Sequence, residues 1–175
     1  IKCGVIRSEG LFDLLVRQRD AVMALEPTVV DELVCESVRI KAEVVTADEK
    51  EGDLRRILNF GHTIGHALEA ETEYTRFLHG EAVAFGMNAA TRLAKLVGVL
   101  DSGECGRILD CVKAYGPIPS LAGIEAGNLV ARLGADKKTI QGKVHFVLPE
   151  RVGVVRVMAG IPEAQVLEAT EAALR

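Results

Sequence analysis

The most informative stretch of this 175-residue chain is residues 54–66, LRRILNFGHTIGH. Its polar residues are spaced four, three and four apart, and on a single α-helix this spacing places them within an arc of roughly 60°. They are Arg55, Asn59, His62 and His66. Apolar residues flank them on both sides. We therefore expect a helix from about residue 53 to residue 69, with a polar stripe on an otherwise core-like face.

Two interpretations of this stripe are open. Buried polar side chains cost free energy unless each finds a partner, which favours a face that binds a ligand. The alternative is that the stripe is simply the solvent side of the helix. Gly61 and Gly65 each weaken a helix by about 1 kcal/mol, and glycines there indicate the close approach of another backbone or of a ligand.

The histidines indicate a metal site. His62 and His66 are one helical turn apart, and His79 follows at the start of the next predicted helix. Thr63 stands where the HExxH motif has its catalytic glutamate, so that motif is excluded. A metal between two neighbouring helices would take one histidine from each and leave the third for acid-base or anion contacts. Core histidines satisfied by hydrogen bonds are the alternative.

The rest of the chain predicts a mainly α fold. Apolar periodicity and helix breakers predict helices at residues 10–26, 28–46, 53–69, 79–96, 102–115, 125–133 and 162–174. Two β-rich runs, residues 144–148 and 154–158, flank a turn and predict one small hairpin. Neither GxGxxG nor a P-loop occurs. We therefore expect residues 1–175 to form a single helical domain with no dinucleotide site of its own.

Composition narrows the class of protein. Hydrophobic residues make up 49% of the chain and charged residues 26%, as in ordinary globular proteins. A net charge of −4 gives no reason to expect nucleic acid or an anionic membrane as a partner. No apolar run is long enough for a membrane span. The cysteines show no CxxC spacing and predict buried thiols in a reducing cytoplasm; they are Cys3, Cys35, Cys105 and Cys111.

Several lysines add positive charge near these motifs. Lys41 continues a row of valines, residues 34, 38 and 45, so we expect it on an apolar face. It would there either reach out to water or point at a bound anion. Lys2, Lys137 and Lys138 are explained by solvation when taken alone. Together with a histidine pair and an arginine, however, these cations suit a phosphorylated or carboxylated substrate.

The chain resembles the 3-dehydroquinate synthase family in five segments. They are residues 1–4 (IKCG, similar to the end of an AExIKxG motif, with Cys3 where tyrosine is common), 48–55, 58–69, 79–87 and 136–138 (DKK). The resemblance implies the helical, carboxy-terminal domain of an enzyme of the shikimate pathway. Such enzymes use bound NAD and a divalent metal, zinc or cobalt. They convert 3-deoxy-arabino-heptulosonate 7-phosphate into 3-dehydroquinate and phosphate.

The same resemblance implies a role for individual residues. The metal ligands would be His62 and His79. The catalytic residues would be His66, Lys41 and Glu51, with Glu51 shaping the site. The substrate would be held by Lys2, Lys41, Arg55, Asn59, His66, Lys137 and Lys138. No residue of this chain is expected to bind the cofactor.

The resemblance departs from the family at the amino end. A third metal ligand, the glutamate three residues before the lysine that matches Lys2, would precede Ile1, as would the NAD-binding domain. We therefore expect a piece of a longer protein, inactive alone and homodimeric when whole. The alternatives are a related sugar-phosphate cyclase of the cyclitol or valiolone type, a metal-dependent alcohol dehydrogenase resembling glycerol dehydrogenase, and a non-catalytic helical module.

Overall fold

The computed structural model describes residues 1–49, 54–135 and 143–175, with the side chains of residues 134 and 135 left out. These residues form helices and one antiparallel hairpin around a shared hydrophobic core. In chain order the elements are α1 (Lys2–Arg7), α2 (Glu9–Arg17), α3 (Arg19–Met23), α4 (Pro27–Ala47), a 3-10 helix (Arg55–Asn59), α5 (His62–Glu71), α6 (His79–Leu96), α7 (Ser102–Ala114), α8 (Ala126–Ala135), β1 (His145–Arg151), β2 (Val154–Ala159) and α9 (Glu163–Leu174).

Helix α6 lies at the centre of the fold and packs against α5, α7, α9 and β1. Its Phe85 and Leu93 side chains are completely buried. The start of the helix is fixed by Glu81, whose carboxylate accepts the backbone N–H of Leu78 at 2.8 Å. That amide has no partner within the helix, so the carboxylate caps it. The cap defines the helix end on which His79 stands.

The hairpin is tied to the helices at its tip. Gly153, in the turn between the strands, has φ of +83° and donates its N–H to the carbonyl of Val5 in α1 at 2.9 Å. The neighbouring N–H of Val152 donates to the Glu104 carboxylate of α7 at 2.7 Å. Buried backbone donors need such partners. The hairpin therefore joins the first helix to the second half of the chain.

The helix predicted over residues 53–69 is wrong, because the chain changes direction at Gly61. This residue has φ of +79°, in the left-handed region that glycine adopts without a steric penalty. An α-helix cannot continue through that conformation. The polar stripe is therefore divided between the 3-10 helix, which carries Arg55 and Asn59, and α5, which carries His62 and His66.

Two predicted boundaries near the amino end are also wrong. The helix expected over residues 10–26 is divided at Gln18, whose φ of −103° and ψ of 22° leave the helical region. The bend lets the Arg19 side chain donate to the carbonyl of Ala114 at 2.9 Å. Helix α4 begins at Pro27 rather than at a capped Thr28. Proline suits the first helical position because it lacks an N–H there.

The apolar row predicted to carry Lys41 does not face the core. Val34 and Val38 are 55% and 61% exposed, and Lys41 is exposed as well. The buried face of α4 is formed instead by Ile40 and Val44, each 1% exposed. Lys41 therefore lies on an apolar but exposed face, which agrees with the alternative that its side chain reaches water.

Two further expectations came from composition. All four cysteines are free, and burial raises the pKa of both Cys105 and Cys111. Cys35, however, is exposed and Cys3 is half-buried, so the prediction of buried thiols holds for two of the four. Among the described helices, none combines the length and apolar character needed to cross a membrane.

Candidate metal centre

Helices α5 and α6 cross at three glycines. A Cβ atom on Gly86 would lie 1.8 Å from the carbonyl oxygen of Gly61, and one on Gly65 would lie 2.8 Å from that of Ala82. Neither distance leaves room for a side chain, so the two backbones are in direct contact. The expectation that Gly61 and Gly65 mark a close backbone approach is confirmed. The crossing brings the first turns of the two helices together.

Three imidazole rings meet beside this crossing. The ring centroid of His62 lies 5.4 Å from that of His66 and 5.3 Å from that of His79, and the His66 and His79 centroids are 5.8 Å apart. His62 and His66 come from α5, whereas His79 is the first residue of α6. His62 and His79, which are 17 residues apart in the sequence, thus belong to one cluster.

In two of these rings, Nδ1 already has a hydrogen-bond partner. Nδ1 of His62 lies 3.1 Å from the carbonyl oxygen of Phe60, and Nδ1 of His79 lies 3.0 Å from a carboxylate oxygen of Glu69. The carbonyl oxygen and the carboxylate oxygen act as acceptors, so each Nδ1 is the donor, and in the neutral ring Nε2 is then left with a lone pair. Histidines that bind metals are usually held in this way. The donor set therefore fits a divalent metal such as zinc.

Electrostatics favour the neutral form of His62. Burial lowers the pKa of His62 to about 4, and the nearby charge of Lys2 acts in the same direction, against the hydrogen bond to the Phe60 carbonyl. A histidine must be neutral to bind a metal through its free nitrogen. His62 is thus in the binding form at neutral pH.

Two of the predicted substrate lysines, Lys2 and Lys41, lie within electrostatic range of one another. Burial lowers the pKa of Lys2, and the charge of Lys41 lowers it further. Lys2 itself is close enough to affect His62. Lysines from α1 and α4 therefore contribute positive charge to one region of the molecule.

Arg55 and Asn59, two further predicted site residues, lie on the 3-10 helix. Arg55 is half-buried on the 3-10 helix, and its backbone N–H donates to the Asp48 carboxylate at 2.9 Å. Asn59 is exposed at the end of the same helix. Because that helix is separate from α5, the common face predicted for these residues and the histidines does not form. Glu51, Lys137 and Lys138 lie outside the described residues.

Glu69 belongs to the cluster but was missed as a functional residue in the sequence. Its carboxylate, His66 and His79 each offer a ligand atom, and these atoms lie within 4.8 Å of one another. The sequence does carry a signal, since Glu69 follows His62 and His66 at the same spacing of four and three. That spacing does not by itself identify a functional residue, since a glutamate near a helix end is usually solvated.

Imidazoles from two helices, bordered by lysines in a mainly α domain, are typical of proteins that hold a divalent metal next to an anionic ligand. This chain belongs to the 3-dehydroquinate synthase C-terminal family, whose model matches residues 1–139. The match contains all three clustered histidines, Lys2 and Lys41.

Curated relatives similar to this chain are named 3-dehydroquinate synthase. The chain is 60% identical over 174 residues to the 3-dehydroquinate synthase of Solibacter usitatus and 48% identical over 171 residues to that of Koribacter versatilis. These alignments cover 99% and 98% of the chain, but only 49% and 46% of the relatives. The chain therefore spans about half the length of the curated relatives it matches.

Solved structures confirm the predicted fold. The 2-epi-5-epi-valiolone synthase ValA of Streptomyces hygroscopicus, solved with NAD+ and Zn2+ bound, superposes with a TM-score of 0.86 at 25% identity and covers 98% of this chain and 48% of its own. A 2-deoxy-scyllo-inosose synthase complex, with a TM-score of 0.72 at 20% identity over 83% of this chain and 41% of its own, agrees in fold. A helical domain with one small hairpin is thus the architecture shared with these synthases.

Proposed function

We propose that this chain is the metal- and substrate-holding part of a 3-dehydroquinate synthase. The complete enzyme converts 3-deoxy-arabino-heptulosonate 7-phosphate into 3-dehydroquinate and phosphate. One observation carries the proposal: three imidazoles from α5 and α6 meet with ring centroids 5.3 to 5.8 Å apart in a chain of this family.

In this proposal His62 and His79 hold the metal through Nε2. Zinc bound there would supply a Lewis acid that polarises the substrate oxygen to be oxidised. A glutamate outside this chain would be the third protein ligand, as catalytic zinc sites normally have three. The NAD that accepts and returns the hydride would be bound by a separate amino-terminal domain.

The other residues of the cluster would act on the substrate. His66, between the two proposed ligands, would meet the phosphate region and move a proton there. Lys2 and Lys41 would attract the phosphate or carboxylate as point charges, and Arg55 would bind an anionic group with its planar fork. Asn59 would hydrogen-bond a hydroxyl. Glu51, Lys137 and Lys138 stay predictions for the same site, as do a cytoplasmic homodimer and the inactivity of this chain alone.

A related cyclase is the second candidate, because ValA shares the fold at a TM-score of 0.86. Sequence favours the first candidate, since the 60% and 48% identical relatives are both 3-dehydroquinate synthases. The two candidates differ in whether the phosphorylated substrate also carries a carboxylate. Two substrates that differ in this group therefore separate them.

The test measures phosphate release by a chimeric protein, called the joined protein below. In it, this chain replaces the matching carboxy-terminal part of the Solibacter usitatus enzyme, so that the relative supplies the amino-terminal half. We expect zinc- and NAD-dependent release of phosphate from 3-deoxy-arabino-heptulosonate 7-phosphate, and none from this chain by itself. His66→Ala should abolish turnover while the protein still binds zinc, whereas Glu71→Gln, which changes a half-buried carboxylate of the same helix that is paired with Arg132, should leave turnover unchanged.

Each other result contradicts the proposal in a different way. Release only from a phosphorylated sugar that lacks the carboxylate would assign the chain to the related cyclases. A folded joined protein that releases phosphate from neither substrate would identify a non-catalytic helical module.

A further inference from the structure

A buried carboxylate lies behind the histidine cluster. Among the residues that the structure describes, Glu69 is the only acidic or basic residue in the buried class, at 7% exposure. Its neighbours Ala67 and Leu68 are part of the hydrophobic core. Removing a carboxylate from water costs several kcal/mol unless hydrogen bonds or an opposite charge offset it. A leucine at this position would stabilise α5 more simply, so the carboxylate calls for a functional explanation.

The geometry supplies one. A Glu69 carboxylate oxygen lies 3.0 Å from Nδ1 of His79, a histidine whose side chain is 58% exposed. The Glu69 side chain is itself only 9% exposed. The buried Glu69 side chain therefore fixes the more exposed His79 side chain at the start of α6. Without this bond the His79 imidazole could rotate about its side-chain torsions.

We propose that Glu69 is a positioning residue of the metal centre, which holds His79 with hydrogen on Nδ1 and directs Nε2 towards the metal. The inference rests on the proposed function, because it assumes that His79 binds metal. It adds a residue outside the predicted ligands and substrate contacts. The Phe60 carbonyl does the same for His62, so each proposed ligand has its own acceptor.

Direct coordination by Glu69 is the competing role. Ligand atoms of Glu69, His66 and His79 do lie within 4.8 Å of one another. However, the present bond places hydrogen on Nδ1 of His79, the nitrogen that faces the carboxylate. A metal between these two residues would require Nδ1 to lose that hydrogen and would break the bond. The arrangement is already complete for an outer role, in which an acceptor holds the ligand without touching the metal.

The first measurement needs no metal. In this chain, nitrogen-15 NMR of the metal-free His79 ring reports which nitrogen carries the hydrogen. We expect the Nδ1–H form in the unmodified chain and a shift towards the Nε2–H form in Glu69→Ala. Glu69→Gln, which keeps an oxygen acceptor of the same shape, should retain more of the Nδ1–H form. An unchanged ring in Glu69→Ala overturns the inference whatever the protein binds.

The second measurement is the zinc dissociation constant of the joined protein, obtained by competition with a chelator. Loss of an outer acceptor typically weakens metal binding about 10- to 100-fold. We expect a loss of about tenfold in Glu69→Gln and of up to about 100-fold in Glu69→Ala. Glu71→Gln is the matched control, because its carboxylate lies two residues further along α5 and binds Asn128 and Arg132 instead. It should leave the constant unchanged.

Cobalt substitution separates positioning from direct coordination. If Glu69 positions His79, the Co2+ absorption spectrum of Glu69→Gln keeps the shape and intensity of the unmodified protein once the site is saturated. A change in coordination number would make Glu69 a ligand and overturn the proposal. The proposal would also be overturned if both Glu69 variants bound zinc as tightly as the unmodified protein. If the unmodified joined protein binds no zinc, the proposed function fails, and the NMR result then judges the Glu69–His79 bond separately.

Discussion

Helix α4 and the crossing of α5 with α6 both place polar residues among apolar ones. The two regions differ in which of these residues face the interior. In α4 the valines 34 and 38 point outwards, and Ile40 and Val44 form the buried face. At the crossing, glycines let two backbones touch, and the polar residues meet each other there. The difference shows that apolar spacing alone does not identify the inner face of a helix, whereas glycines that permit only one packing do.

The largest effect should come from filling the crossing. Gly86→Ala would place a Cβ atom 1.8 Å from the Gly61 carbonyl oxygen, and backbone cannot yield as a flexible side chain can. We expect a loss of about 3 kcal/mol or more in the free energy of unfolding, measured by denaturant titration.

The matched control for this change is Gly106→Ala in α7, where an added Cβ atom meets nothing within 4 Å. It should stabilise the chain by up to about 1 kcal/mol, because alanine favours helix over glycine. Equal effects of the two substitutions would show that the helices do not touch at Gly86.

The second prediction uses one substitution at two places in α4. Val44 is 1% exposed and Val38 is 61% exposed. Val44→Ala removes buried methyl groups and should cost about 2 kcal/mol of unfolding free energy. Val38→Ala should change it by less than about 0.5 kcal/mol. A larger loss at Val38 than at Val44 would reverse the assignment of the two faces of α4.

The sequence predicted most helices and the hairpin because their caps and breakers are local. Asp101, for example, accepts the N–H groups of Gly103 and Glu104 as a helix cap should. It did not predict the break at Gly61. There the backbone packs closely against Val83 of α6, which lies 22 residues further along the chain. For the same reason Arg55 and Asn59 were predicted on the wrong helix. The three histidines were nevertheless predicted to lie near one another, and their rings do meet.

A further effect concerns pH and the partly buried His62 side chain. Burial lowers the pKa of His62 from 6.5 to about 4. As the pH falls through 6.5 the unfolded chain takes up a proton at His62 that the folded chain refuses, so stability decreases between about pH 6.5 and pH 4. His62→Gln should remove this part of the decrease in the metal-free chain. Identical pH profiles of unfolding free energy for the two chains would contradict the assigned burial.

The most direct test of the metal centre is the zinc dissociation constant of the joined protein and of four single-histidine variants. We predict that His62→Ala and His79→Ala lose tight binding, because each removes a ligand. His66→Ala should keep zinc but lose turnover, and His145→Ala, which changes a half-buried histidine at the start of β1, should keep both. If His62→Ala and His79→Ala bind zinc as tightly as the unmodified protein, the histidine cluster is not a metal centre.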